Sequence, residues 1–219
     1  MKNVYKSCYN YIIKLQKLLD TITDEDREIF KTNPLTDRQK ASYKTNKMLV
    51  IDIYHKFTGE KKDEISESVS KDLKYVYKVG EITESNYGKE EAEFYEWFHY
   101  YLEEDRARYN EPLMADCVNY LNGFVKLYDY NGILMDEKNY LNGKLNGECL
   151  GYWCDGRIRT RENYLNNEQI GKNIIYLYDG LTMQICDYDD DRSIKIYKKN
   201  EDGDWTYNDE ETKRYESLI

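Results

Sequence analysis

Proline and histidine are nearly missing from this chain, at two residues each in 219. With 40% apolar residues and so little proline, wholesale disorder is excluded. The five cysteines (Cys8, Cys117, Cys149, Cys154, Cys186) are odd in number and contain no CxxC pair. With only His55 and His99 to add, they exclude a zinc site. Continuous hydrophobic runs are also absent. Met1 to Leu19 interleaves lysine with its apolar residues, which argues against both a signal peptide and a membrane span. The expected compartment is the reducing cytoplasm.

Glycine-rich phosphate loops are missing as well, because the glycines here open strands and not helices. His55 and His99 lie far apart in sequence, and His99 reads as a packed core histidine. No Ser-His-Asp or Cys-His set can be assembled. Asn200, Asp202 and Asp204 echo a calcium loop, but Gly203 stands at the fourth place and not the sixth. Neither enzyme activity, nor a metal, nor a cofactor is expected.

What the chain has in abundance is tyrosine, 24 residues. A tyrosine buries a large ring and keeps its hydroxyl wet, which suits thin layers. The net charge is −10, with −3 in residues 1–112 and −7 in residues 113–219. An acidic surface repels phosphates, so neither nucleic acid nor an anionic membrane is expected as a partner. A protein with a basic face is expected instead.

The first half reads as helices. Val4, Cys8, Ile12, Leu15, Leu19 and Ile22 recur at spacings of three and four. Thr23 to Asp26 looks like an N-cap with an acidic first turn, opening a short helix that stops before Pro34. Thr36 and Gln39 form a capping box for a helix to about Thr58. Its buried stripe would be Tyr43, Val50, Ile53, Tyr54 and Phe57. Ile65, Val69, Leu73, Val76 and Tyr77 give a further stripe, and a last helix runs from about Gly88 to Tyr109. Residues 1–112 are thus expected to be a bundle of four or five helices, making the whole chain α+β.

The second half, residues 113–219, repeats. Gly123, Gly147 and Gly171 stand 24 apart, as do Gly132, Gly156 and Gly180. Tyr128, Tyr152 and Tyr176 keep the interval, and so do Tyr140, Tyr164 and Tyr188. The units are 123–146, 147–170 and 171–194. Asn131-Gly132, Asp155-Gly156 and Asp179-Gly180 suit two-residue type I′ turns. Hairpins centred there put Tyr140 opposite Gly123, Tyr164 opposite Gly147, and Tyr188 opposite Gly171, each ring shielding bare backbone. Looser turns at Asn142-Gly143 and Asn166-Asn167 join the hairpins into an antiparallel β-meander. Beyond Tyr188 the period fails. Ile194, Ile196 and Trp205 make a degenerate capping hairpin around Asp202-Gly203, followed by a short helix from Asp209.

The string NYLNGKLNGECLGYWCDGRIRTRENYLNN, from Asn139 to Asn167, resembles the bacterial variant of the MORN repeat, and the resemblance covers residues 118–199. It implies a protein-binding or scaffolding sheet with no catalytic residues to carry over. Variant-repeat proteins in bacteria are often grouped with antitoxin or immunity components. The resemblance therefore implies a toxin or nuclease partner, with an anti-CRISPR-type mobile-element inhibitor as another form of the same idea. The alternative it implies is a structural scaffold or membrane-associated module.

Three groups are candidates for partner contact. Asp187, Asp189, Asp190 and Asp191 read either as a phosphate-mimicking patch or as a solvated loop that protects an edge. Arg157, Arg159 and Arg161 alternate along one strand, so they either grip an acidic partner or stack locally, Arg159 lying opposite Tyr152 in the hairpin register. Tyr130 and Tyr178 are the tyrosines considered as interface anchors.

Overall fold

A computed structural model describes residues 3–68, 74–85, 98–110, 115–189 and 193–216. The chain divides into two compact units, one of residues 1–118 with 127–133, the other of residues 119–126 with 134–219.

The first unit is built of strands, not of a helical bundle. It begins with β1 (Asn3–Cys8), β2 (Tyr11–Gln16), the four-residue α1 (Ile29–Thr32), β3 (Ser42–Thr45) and β4 (Lys47–His55). It continues with β5 (Glu64–Ser68), β6 (Lys74–Lys78), β7 (Ile82–Glu84), β8 (Phe98–Tyr101), α2 (Glu104–Arg108) and α3 (Ala115–Val118). Six strands form a sheet in the order β3-β8-β1-β2-β4-β7, and β5 and β6 form a separate hairpin. Tyr75 and Tyr77 of β6 join Val4, Ile13, Leu15, Val50 and Phe98 of the sheet in one core, so the hairpin covers the sheet. Tyr75 and Tyr77 both pack edge-on against Phe98, with ring centroids 5.7 and 6.0 Å away.

The helical spacing of the N-terminal apolar residues is produced by strand irregularities. β1 buries Val4, Lys6 and Cys8, an alternation disguised by a buried lysine. A turn at Tyr9-Asn10, with Tyr9 at φ +50°, then restarts the phase in β2. Leu19, which the helical stripe would bury, is 99% exposed. In β4, Leu15 faces Val50 while Lys14 faces Asp52, leaving Ile51 as an extra bulged residue. Val50 and Ile53 are therefore both buried although three apart. Asp24 caps no helix. It accepts the Lys44 backbone N–H at 2.7 Å and the Tyr130 hydroxyl. Of the last expected helix, residues 88–97 lie outside the described residues, as do Val69 and Leu73 of the one before it, and the remainder is the strand β8 followed by the five-residue α2.

The second unit is a meander. Its strands are β9 (Gly123–Tyr128, the last two residues counting with the first unit), β10 (Leu134–Leu141), β11 (Lys144–Leu145), β12 (Gly147–Tyr152) and β13 (Ile158–Leu165). Then follow β14 (Glu168–Gln169), β15 (Lys172–Tyr176), β16 (Thr182–Asp187), β17 (Ser193–Lys199), β18 (Trp205–Tyr207) and the helix α4 (Asp209–Glu216). Neighbouring strands pair antiparallel in the order β10-β12-β13-β15-β16-β17-β18, with β9 on β10. The repeat holds in three dimensions. Asn146 N–H donates to Asn139 O and Ile170 N–H to Asn163 O, 24 residues apart and both at 2.9 Å. Val125, Cys149 and Asn173, also 24 apart, are all buried. The capping hairpin β17–β18 and the terminal helix lie where the sequence expects them.

The turns are exchanged relative to expectation. The tight two-residue turns with two positive φ values are Asn142-Gly143 (+50°, +77°) and Asn166-Asn167 (+53°, +77°). They join Leu141 to Lys144 and Leu165 to Glu168. At the hairpin tips only the glycine is left-handed. Gly156 N–H donates to Trp153 O at 2.9 Å and Trp153 N–H to Arg157 O at 2.8 Å, closing a three-residue loop with a glycine bulge. Asp155 adopts ordinary φ because its carboxylate accepts the Arg157 backbone N–H at 3.0 Å. The longer loop shifts the pairing by one residue. A bulge at Arg159, with Gly151 facing Thr160 and Tyr152 facing Ile158, shifts it back. Gly147 consequently faces Tyr164, as the spacing predicts. Gly171 O likewise accepts the Tyr188 N–H at 2.8 Å.

Candidate functional site

The 24-residue period places the hairpin tips at Gly156 and Gly180 side by side, and together with the tip of the capping hairpin β17–β18 they line a cleft. Its walls are Trp153, Arg157, Ile158, Tyr176, Leu177, Gly180, Lys199 and Trp205, around about 360 Å³. That volume falls in the range of ligand pockets, ~300–1,000 Å³. The Trp153 indole N–H donates to Tyr176 O at 3.3 Å, which orients its ring. Tyr178 meets Trp153 edge-on, with centroids 5.2 Å apart, and Tyr176 lies 6.2 Å from Trp205. Three cations stand over these rings: Arg157 over Tyr178 at 5.1 Å, Arg159 over Trp153 at 5.8 Å, and Lys199 over Trp205 at 5.2 Å. Around the third tip, Leu177, Tyr178 and Leu181 are exposed, the last two at 56% and 57%.

The arginine set does not act as one grip. Arg157 lies in the tip loop, tied to Asp155 at 2.7 Å and to Tyr178 O at 3.1 Å. The Asp155 bond raises the Arg157 pKa, and the Arg157 bond lowers that of Asp155. Arg159 occupies the bulge and reaches Asp136 at 3.4 Å, so it does not lie opposite Tyr152. Arg161 pairs with Glu148 at 2.7 Å. Each guanidinium thus has a carboxylate of its own. Tyr152 instead donates to Glu137 at 2.8 Å, and Glu137 pairs with Lys126 at 2.7 Å.

The aspartate run is used in the turn. Asp187 accepts the Asp189 N–H at 3.2 Å and lies 3.9 Å from Lys172, while Asp189 accepts the Gly171 N–H at 3.0 Å. Asp190 and Asp191 lie outside the described residues. Of the two tyrosines, Tyr178 is on the cleft rim. Tyr130 is an internal anchor of the first unit. Its hydroxyl donates to Asp24, Arg27 stacks over its ring at 3.9 Å, and its carbonyl accepts the Ser42 N–H at 3.0 Å. The sequence reading missed Trp153, Trp205, Leu177 and Lys199. Their signal was their distance from the tip glycines Gly156, Gly180 and Gly203, since they flank three successive hairpin tips, the last of them outside the 24-residue period.

The first unit brings together a Cys–His pair that sequence spacing did not indicate. Cys117 Sγ lies 4.0 Å from His55 Nε2 and donates to Asn10 Oδ1 at 3.4 Å. His55 Nδ1 accepts the backbone N–H groups of Thr58 and Phe57, at 3.1 and 3.3 Å. In the neutral ring the proton then sits on Nε2, facing the sulfur, and the imidazole has no free nitrogen with which to take the thiol proton. Cys117 is fully buried besides. The arrangement packs a thiol and does not activate it. His99 lies on β8 with its surface exposed, on the opposite face from the buried Phe98 and Tyr100, so it is not the core histidine expected, and its Nδ1 is 3.0 Å from Ser42 Oγ.

Among the described residues no group of three or more His, Cys, Asp or Glu is placed to hold a metal ion. Asn200 instead closes the last hairpin tip by accepting the Asp204 N–H at 2.8 Å. No helix among the described residues is long and apolar enough to cross a membrane. No protein-family model, no curated protein and no solved structure matches the chain.

Proposed function

We propose that the chain is a non-enzymatic protein-binding module of the inhibitor kind, an immunity or antitoxin partner or a mobile-element inhibitor of a nuclease. It works by covering a site on its partner. One observation carries this reading: three consecutive hairpin tips present aromatic and aliphatic side chains together, two of them more than half exposed, around an open cleft. Clustered Trp and Tyr are the residues that dominate binding energy at protein interfaces. The repeat's similarity to the variant MORN type supports the same class. The net charge of −10 supports a partner with a basic surface. That electrostatic contribution belongs to the chain as a whole, because Asp187 and Asp189 are engaged in their own turn.

The test is a pull-down from the cells that make the protein, run in parallel with a chain carrying Leu177→Asp and Leu181→Asp. The expected result is a nuclease or toxin held by the native chain, inhibited on titration at a fixed ratio, released by salt and lost from the variant. A retained protein whose activity is untouched, or retention indifferent to the tip substitutions, overturns the proposal.

A further inference from the structure

We infer that the tip cleft takes an extended peptide segment bearing an aromatic or branched aliphatic side chain with a carboxylate beside it. This rests on the protein-binding reading above and specifies the chemistry of what is bound.

The apolar half of the requirement comes from the walls. Trp153, Ile158, Tyr176, Leu177 and Trp205 supply the lining, and the surface continues over Leu177 to Tyr178 and Leu181. A buried apolar side chain gains the area these residues leave to water, and the exposed rim favours a chain segment over an isolated small molecule.

The charged half comes from the rim. Although the chain is acidic, the charged side chains lining the cleft are both cations, Arg157 and Lys199. Arg157 is committed to Asp155. Lys199 differs from its neighbour: Lys198 pairs with Glu211, whereas Lys199 stands over the Trp205 ring with no carboxylate at ion-pair distance among the described residues. An ammonium held on the edge of an apolar cleft attracts a carboxylate that arrives with an apolar side chain and repels a basic one. A base stacked on Trp205 with its phosphate at Lys199 would meet the same two groups. The acidic charge of the remaining surface opposes that occupant more strongly than the proposed peptide, because a nucleic acid carries a phosphate at every residue and the peptide only a local carboxylate.

The test uses the full chain and fluorescein-labelled twelve-residue peptides of glycine and serine. One carries a central phenylalanine flanked by aspartates, one the same phenylalanine flanked by lysines, and one alanine between aspartates. Oligothymidylate serves as the nucleic-acid probe. Fluorescence anisotropy is expected to show the aspartate-flanked phenylalanine binding at least tenfold tighter than the other three probes. Lys199→Glu, an exposed substitution whose folding is checked by circular dichroism, is expected to abolish that preference and to strengthen the lysine-flanked peptide. Trp205→Ala is expected to weaken both phenylalanine peptides. Equal binding of all peptides, preference for lysine flanks, or binding of oligothymidylate alone overturns the inference. If peptides show no preference while the Leu177→Asp, Leu181→Asp chain still loses its cellular partner, the ligand class is wrong and the protein-binding reading stands. If the partner is also retained, both fall.

Discussion

Lys56, in the turn that follows β4, is 1% exposed, and replacing it with methionine should make the protein more stable. Burial lowers its pKa from 10.5 to about 8, with Arg108 and Lys6 nearby adding to the effect and Cys117 and Cys8 opposing it. At pH 7 the amine is still protonated, so folding carries a cation into the interior. Each tenfold change in proton affinity is worth about 1.4 kcal/mol, which makes the penalty about 3 kcal/mol. Methionine keeps the length of the side chain and removes the charge, so Lys56→Met should gain roughly 1–3 kcal/mol at pH 7. The sign with pH follows from the direction of the shift. Between pH 8 and 10.5 the unfolded chain holds the proton that the folded chain has released, so native stability rises across that window and is lost as pH falls through 8. Cys8 works in the opposite sense. Its burial raises the thiol from 9.0 to about 12, so stability is lost as pH rises through that range. Both chains contain Cys8, so most of its contribution cancels in their difference, and what remains is the loss of the Lys56 charge that holds the thiol down. Urea unfolding of both chains at pH 7, 8, 9 and 10 should show an advantage for the variant that shrinks steadily toward pH 10. A variant less stable at pH 7, or a difference flat from pH 7 to 10, would refute the reasoning.

Gly132 has φ +79°, and a Cβ there would lie 2.1 Å from Asp37 O and 2.9 Å from Ala41 N, so Gly132→Ala should cost roughly 2 kcal/mol or more. Gly203, at φ +88° with nothing within 4 Å, should lose only about 1 kcal/mol to alanine, and thermal melts of the two variants should separate accordingly. The buried Lys6 pairs with Glu67 at 2.9 Å, and Tyr77 donates to the same carboxylate at 3.2 Å. Glu67→Gln should therefore cost about 3 kcal/mol, with much of it recovered when Lys6→Met is added, as a double-mutant cycle would measure. Under native conditions an alkylating reagent followed by mass spectrometry should label the exposed Cys154 fastest and Cys186 next. The buried Cys8, Cys117 and Cys149 should stay unmodified until the protein unfolds.

The sequence alone determined the repeat unit. A period of 24 residues recurs in glycines and tyrosines because every unit solves the same local problem, and the Gly147–Tyr164 pairing follows from it. The pairing was reached through two errors that cancel, since the three-residue tip and the Arg159 bulge each move the register by one. Hydrogen bonds of the Asp155 side chain decide the turn type there, and these are invisible in a dipeptide. In the first half, periodicity misled because it assumes unbroken elements. The Ile51 bulge and the Tyr9-Asn10 turn give strands a helical spacing, and Lys6 conceals a buried face behind a charged residue. The candidate site was legible only in part. Arg157 and Tyr178 stood out, yet Trp153, Trp205 and Lys199 become one cleft only when three hairpins stand side by side. Local patterns report what each segment must bury. Which segments become neighbours depends on register, bulges and pairing partners, and only the tertiary structure decides those.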